Sequence, residues 1–267
     1  MKIALFSDVH ANLPALEAVL TDIDNRQPDA VYCLGDLVGY NIWPNEVINT
    51  IRKRGIPTIA GNYDYGIGRS SDDCGCAYRE EDEKAMGKVS IAYTNGAVGD
   101  AERTYLRTLP THLRVEFELE NNPDKLWQQQ TPLSLLLVHG SPRRVNEYLF
   151  EDRGDRSLGR VLEGANADIL CFGHTHKPFH KVVSAEPEGQ QTYWRHAINI
   201  GSVGKPKDGD PRACYVMLTI DETARPGSVD GVTVEHVRID YDIVRAATAV
   251  EASELPDLYA DMLRRGR

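Results

Sequence analysis

Apolar and polar positions alternate along the chain in a way that predicts most of its elements. Lys2–Ser7 is a short apolar run with no helical period, which reads as a buried strand. Leu13, Leu16, Leu20 and Ile23 then recur at helical spacing, with Asn12 as a cap and Pro14 in the first turn. Ala30–Leu34 reads as a second buried strand, Pro44–Arg54 as a second helix and Ile56–Ala60 as a third strand. That succession implies right-handed crossovers and a parallel sheet. Tyr65–Glu83 is polar, glycine-containing and aperiodic, so it reads as a long irregular loop and a candidate lid. Lys84–Val98 and Asp100–Thr108 look helical. From His112 the pattern turns to strands: Leu113–Leu119, Leu133–Val138, Ile169–Phe172, Lys181–Ser184, Thr192–Ile200, Ala213–Ile220 and Val232–Ile239. A polar break, Glu120–Thr131, separates the first two, and Tyr241–Ala249 and Glu254–Arg265 read as closing helices. No repeat or linker divides the chain, so the expectation is one α/β domain over residues 1–267 with a loop insertion near 65–83. So many strands with helices at both ends suggest two sheets.

Charge narrows the partners. The chain carries 30 Lys and Arg against 40 Asp and Glu, a net charge of −10, which argues against extended nucleic acid or an anionic membrane surface. An anionic substrate stays open, because bound cations can reverse the sign of a site. No apolar run approaches the roughly 18 residues that a membrane span needs, and the start lacks the pattern of a signal peptide. The five cysteines are odd in number, a poor disulfide framework that fits a reducing, cytoplasmic setting. Cys33, Cys171 and Cys214 lie in apolar runs as small hydrophobes. Cys74-Gly-Cys76 lies in a polar segment and reads as a loop with two incidental thiols, since zinc sites use wider spacing and a second pair.

Candidate chemistry gathers where the strands end. Asp8 and His10 follow the first strand, Asp36 the second, Asn62 the third, His139 another, and His174 with His176 yet another. Ligands of open α/β sheets bind at that carboxyl edge. In an extended segment residues i and i+2 point the same way, which pairs Asp8 with His10 and His174 with His176. Gly35, Gly61, Gly140 and Gly173 flank these residues and let backbones come close. A lone histidine is more often a core residue, and a lone aspartate more often a helix cap. Seven such residues at five strand ends form a set. It offers oxygen and nitrogen without thiolate, which suits Mn, Fe, Zn or Ni. It has more donors than one tetrahedral ion uses and fits two ions roughly 3.5–4 Å apart sharing a carboxylate.

Asp8-Val-His10, Gly35-Asp36, Gly61-Asn62-Tyr63-Asp64, His139-Gly140 and Gly173-His174-Thr-His176 occur in an order that resembles the calcineurin-like metallophosphoesterase superfamily. The likeness spans the whole chain. Gly35-Asp-Leu-Val-Gly-Tyr40, Val138-His-Gly-Ser-Pro142 and Asn199-Ile-Gly-Ser-Val-Gly204 look like its bacterial YfcE-like or diadenosine-tetraphosphatase-like branch. The resemblance implies a four-layer αββα sandwich of two mixed β-sheets flanked by helices. It implies one divalent ion on Asp8, His10, Asp36 and His176, a second on Asp36, Asn62, His139 and His174, and Asp36 as the bridge. It implies a hydroxide between the ions attacking phosphorus in line, with Asn62 touching a phosphate oxygen. The substrate would be a small phosphoester or nucleotide. Less favoured readings are a phosphomonoesterase or protein phosphatase, a nuclease, and a non-catalytic metal-binding interaction module.

Two positions depart from the family pattern. Tyr63 stands where relatives have a His that, oriented by the following Asp64, helps protonate the leaving group. Tyrosine is the weaker acid, its ordinary pKa being near 10. The expectation is a preference for good leaving groups: aryl esters, phosphodiesters and phosphoanhydrides. Gly39 stands where protein-phosphatase relatives have Asp, which lowers the weight on a phosphoprotein substrate. Arg143 and Arg144 are candidate phosphate contacts, with pairing to Glu147 or Glu151 as the plainer reading. Asn12 could lie near phosphate or simply cap its helix, and Lys205–Arg212 could border the pocket.

Overall fold

The computed structural model describes residues 1–76, 81–118, 132–186 and 192–267; the side chains of 81–83 are also outside the description. Nine strands and eight helices are found among the described residues. The first sheet joins β1 (Lys2–Phe6), β2 (Ala30–Cys33), β8 (Ala213–Ile220) and β9 (Val232–Ile239) in the order β2-β1-β8-β9. The second joins β3 (His112–Phe117), β4 (Leu133–Val138), β5 (Ile169–Phe172), β6 (Phe179–Val183) and β7 (Arg195–Asn199) in the order β3-β4-β5-β7-β6. Both sheets are mixed. β1 runs parallel to β2 and antiparallel to β8, while β5 runs parallel to β4 and β7.

Strand periodicity explains the layering, because successive side chains point to opposite faces. Ile3 and Leu5 of β1 pack with Leu135 and Leu137 of β4 and Ile198 of β7, making the layer between the sheets. Ala4 and Phe6 face the other way, onto the helices α1 (Leu13–Arg26), α2 (Pro44–Arg54), α7 (Ile243–Glu251) and α8 (Leu258–Arg265). Leu136, Val138, Leu170 and Phe172 turn outward onto α6 (Asp155–Gly164). The result is the helix–sheet–sheet–helix stack expected from the resemblance. Strands buried on both faces read as continuous apolar runs, so β4 and β5 are fully buried. Among the described residues no helix is long and apolar enough to cross a membrane.

Several expectations need correction. Ile56–Ala60 is not a ladder strand: it keeps one parallel bridge, Cys33 with Thr58. Pro57 has no N–H to give, and by Ala60 the backbone has left β2 to donate to Pro110 O. The segment 65–83 is irregular only in part. A short helix α3 (Asn62–Gly68) covers its start and α4 (Glu81–Ala97) its end, while 77–80 lie outside the described residues. Two glycines hide α3 from a propensity reading. They are there for space, since a Cβ on Gly66 would lie 2.7 Å from Cys74 Sγ and one on Gly68 3.2 Å from Leu106 of α5 (Asp100–Thr108). Helix α6 was not anticipated. Its buried Leu158, Val161 and Leu162 carry the helical spacing, but over a single turn. Glu120–Thr131 falls outside the described residues.

Candidate metal centre

The loops after β1 and β2 zip together by backbone bonds continuing the parallel ladder. Asp8 N–H donates to Gly35 O at 2.9 Å, His10 N–H to Asp36 O at 2.9 Å and Ala11 N–H to Leu37 O at 2.8 Å. On the other sheet, Gly173 N–H donates to His139 O at 2.9 Å. These bonds hold backbone that is not extended. Asp8, His10, Asp36, His174 and His176 all have positive φ, between 47° and 65°. For non-glycine residues the left-handed region costs on the order of 1 kcal/mol or more each and persists where surroundings over-determine it. Here it turns five buried polar side chains toward one point.

That geometry corrects the i, i+2 argument. Asp8, His10 and His176 form one group of close donor atoms, and Asp36, His139 and His174 a second, each within 4.8 Å. His174 and His176 therefore part company, because neither is extended. The groups adjoin through their carboxylates. Asp36 Oδ2 lies 3.3 Å from His139 Nε2 and 3.6 Å from His10 Nε2, and Asp8 Oδ1 lies 3.1 Å from His176 Nε2 and 4.0 Å from His139 Nε2. Asn62 joins the second group, its Oδ1 lying 3.2 Å from His139 Nε2. Glycines make room: a Cβ on Gly61 would fall 2.0 Å from Asp36 Oδ1, and one on Gly173 2.3 Å from Asp8 Oδ2.

The hydrogen bonds set tautomers. His10 Nδ1 lies 2.9 Å from Val38 O, His139 Nδ1 2.8 Å from Leu34 O and His176 Nδ1 2.5 Å from Lys205 O. Only a donor suits a carbonyl, so each Nδ1 carries a proton and each Nε2 is turned inward, where a bound ion would take its lone pair. His10 and His176 thus face each other Nε2 to Nε2 at 3.2 Å, an approach that a bound divalent ion would satisfy by taking both nitrogens as ligands. Asp8 Oδ1 and His174 Nε2 are buried with no hydrogen-bond partner, which is costly unless something binds them. Burial works against the Asp8 charge, but the imidazoles of His176, His10 and His139 outweigh it and hold the carboxyl well below the usual range. Burial likewise opposes charge on His139, yet Asp36 and then Asp8 push it up to about 10. Burial and the His139 charge take His174 down to about 3. An oxygen and nitrogen donor set with two ionised carboxylates and orphaned lone pairs fits divalent cations.

The remaining predicted residues divide. Asp64 spends both oxygens on backbone, accepting from Leu37 N–H at 2.9 Å and Gly61 N–H at 3.0 Å, so it pins the β2 loop to the start of α3. Tyr63 is 1% exposed and lies edge-on to His10 at 5.4 Å between ring centres, at the wall of the cleft. Asn12 caps α1 through Ala15 N–H and bridges Gly204 O and Tyr241, away from the cleft lining. Arg143 pairs with Glu147 and Arg144 is exposed; neither lines the cleft. Lys205 and Lys207 do border it.

A cleft of about 380 Å³ opens over both groups. Sequence reasoning missed much of its wall. Tyr40 and Tyr259 line one side; Tyr148 and Phe150 line another, stacked 8° from parallel, with Tyr148 4.1 Å from the His174 ring. Lys177 and Arg267 add to the positive rim. No motif marks these positions. The one local signal was aromatic residues in the stretch just after His139.

The model of the calcineurin-like phosphoesterase family matches residues 1–178, two-thirds of the chain and every residue of both groups. The chain belongs to that family. By family it is a metal-dependent phosphoric ester hydrolase. An uncharacterized protein of Methanocaldococcus jannaschii is 33% identical over 277 residues, covering 99% of this chain and 98% of that protein. A metallophosphoesterase of Sphaerobacter thermophilus superposes with a TM-score of 0.69 at 26% identity, over 100% of this chain and 99% of that one. A hypothetical protein of Pyrococcus horikoshii superposes with a TM-score of 0.75 at 20% identity, over 100% and 98%, which shows the shared fold.

Proposed function

We propose that the chain hydrolyses phosphodiester, aryl phosphate or nucleotide phosphoanhydride bonds at a pair of divalent ions, with Mn, Fe, Zn and Ni as the candidates. The observation that carries the reading is the Nε2 to Nε2 approach of His10 and His176 at 3.2 Å, with both Nδ1 protons committed to carbonyls. Asp8, His10 and His176 would hold one ion, and Asn62, His139 and His174 the other, with Asp36 between them. When bound, such ions supply positive charge against a phosphate and lower the pKa of water.

The chain's own residues orient and select. The carbonyls of Val38, Leu34 and Lys205 lock three rings so that little reorganisation is left when substrate arrives. Lys177, Lys205, Lys207 and Arg267 make the cleft rim positive in an acidic protein, suiting an anionic substrate. Tyr148 and Phe150 offer a flat surface to an aromatic leaving group or a base. Tyr63, where relatives carry His, is a poor proton donor at neutral pH, which favours leaving groups that depart without one.

The test is metal analysis of the purified chain coupled to turnover of bis-p-nitrophenyl phosphate, a dinucleoside polyphosphate and serine phosphate with Mn²⁺, Fe²⁺, Zn²⁺ and Ni²⁺ in turn. The aryl diester or the anhydride should turn over fastest. Faster serine phosphate cleavage, or no turnover with any of the four ions, overturns the reading.

A further inference from the structure

Cys74-Gly75-Cys76 has no part in the chemistry above, yet it touches the centre. The Asn62 amide nitrogen donates to Cys74 O at 2.8 Å and to Cys76 Sγ at 3.3 Å. With both N–H groups spent there, Oδ1 is left facing His139 Nε2. Reversing the amide would set Oδ1 where Nδ2 now sits, 2.8 Å from a carbonyl oxygen, acceptor against acceptor. The loop making this contact is itself held on two sides. Cys74 Sγ packs where a Cβ on Gly66 of α3 would sit, on the helix that Asn62 begins. Asn146 Nδ2 donates to Gly75 O at 2.9 Å from the segment after His139. Gly75 has a φ of +71°, and a Cβ there would lie 2.7 Å from that Asn146 nitrogen, so the position requires glycine.

We infer that the Cys74–Cys76 loop is the clamp that orients Asn62, and that Cys76 Sγ is a positioning contact keeping Oδ1 aimed at the Asp36–His139–His174 group. The loop thus acts on one of the two ion positions and leaves Asp8, His10 and His176 alone. This rests on the two-ion reading. A sulfur acceptor is weak, so its effect is one of aim. Outer partners of metal ligands typically change affinity about 10–100-fold, and a single weak acceptor belongs at the lower end.

The experiment is Mn²⁺ titration of the chelator-stripped full chain by calorimetry, with paramagnetic resonance of the bound ion, for wild type, Cys76→Ala, Cys76→Ser and Asn146→Ala. Cys76→Ala should weaken one binding step about tenfold and leave the other unchanged. Cys76→Ser, whose hydroxyl accepts the same N–H, should recover most of the loss. Asn146→Ala should weaken the same step from the far side of the loop. Melting temperatures of the stripped proteins should agree. Unchanged binding in both Cys76→Ala and Asn146→Ala overturns the inference. So does equal weakening of both steps, which marks a general structural role. A wild type that takes up fewer than two ions overturns the two-ion reading instead, and shows itself before any variant is compared.

Discussion

A Cβ built on Gly39 would lie 2.5 Å from Cδ1 of Tyr63, so the two positions that the sequence resemblance singled out as departures form one packing unit. The Tyr63 ring occupies the space that a side chain at 39 would need, and Gly39 has a φ of +95°, which disfavours any side chain. Gly39→Asp alone should cost on the order of 2 kcal/mol or more, from strain and overpacking together. Adding Tyr63→His should recover part of it, because the smaller ring vacates the site. A double-mutant cycle on urea midpoints should show coupling of about 1 kcal/mol or more; additive costs would mean the residues are independent.

The cation demand of the centre predicts a metal-dependent stability. Stripping ions leaves His10 Nε2 facing His176 Nε2 and Asp8 Oδ1 without a hydrogen-bond partner. Adding Mn²⁺ to stripped protein should raise the melting temperature in a concentration-dependent way, by about 2.7 kcal/mol of stability at a hundredfold excess over Kd. Asp36→Ala, which removes the carboxylate between the groups, should abolish most of that rise and cut turnover about 100-fold or more. A melting temperature indifferent to Mn²⁺ would contradict the assignment.

Asp64 separates orientation of a catalytic group from scaffold. Both of its oxygens accept backbone N–H groups, so Asp64→Asn turns an amide donor onto one of them. The cost should be about 1–3 kcal/mol of stability, the penalty of an unpaired buried group. Turnover at temperatures well below the melt should fall by a similar factor for aryl and alkyl esters. A loss confined to alkyl esters would instead assign Asp64 to leaving-group protonation through Tyr63.

Much of this was legible in the sequence, for physical reasons that also mark where legibility ends. Asp8, Asp36, His139, His174 and His176 follow apolar strands, and a buried strand must end where polar atoms gather, so the edge of the site could be read off. Which residues share a group could not be read from spacing; only the resemblance implied it. The left-handed backbone at His174 and His176 has no signature in a histidine, unlike a glycine, and it sends neighbours to different groups. Pro57 was readable as a missing donor, but only the structure shows the chain leaving β2 for Pro110. The aromatic and basic wall joins residues as far apart as Tyr40, Tyr148 and Arg267, and no local pattern relates them.

His196 predicts the acid limit of the fold. It is buried on β7, and its Nδ1 lies 3.0 Å from His180 Nε2, so one ring donates and the other accepts. Burial lowers the His196 pKa against weaker opposing pulls from the Ser228 backbone and then Asp168; burial, then His196 and His236, take His180 down to about 4. The unfolded chain, with histidines near their ordinary pKa of about 6.5, therefore binds more protons than the folded one below that pH. Stability from this pair is present above about pH 6.5 and is lost as pH falls toward 4, where the His180 ring charges. Urea midpoints at pH 7.5 and pH 5 should fall further for the native chain than for His196→Gln, in which one titrating ring is gone. Equal pH slopes for the two proteins would place the acid sensitivity elsewhere, in the histidines of the metal centre.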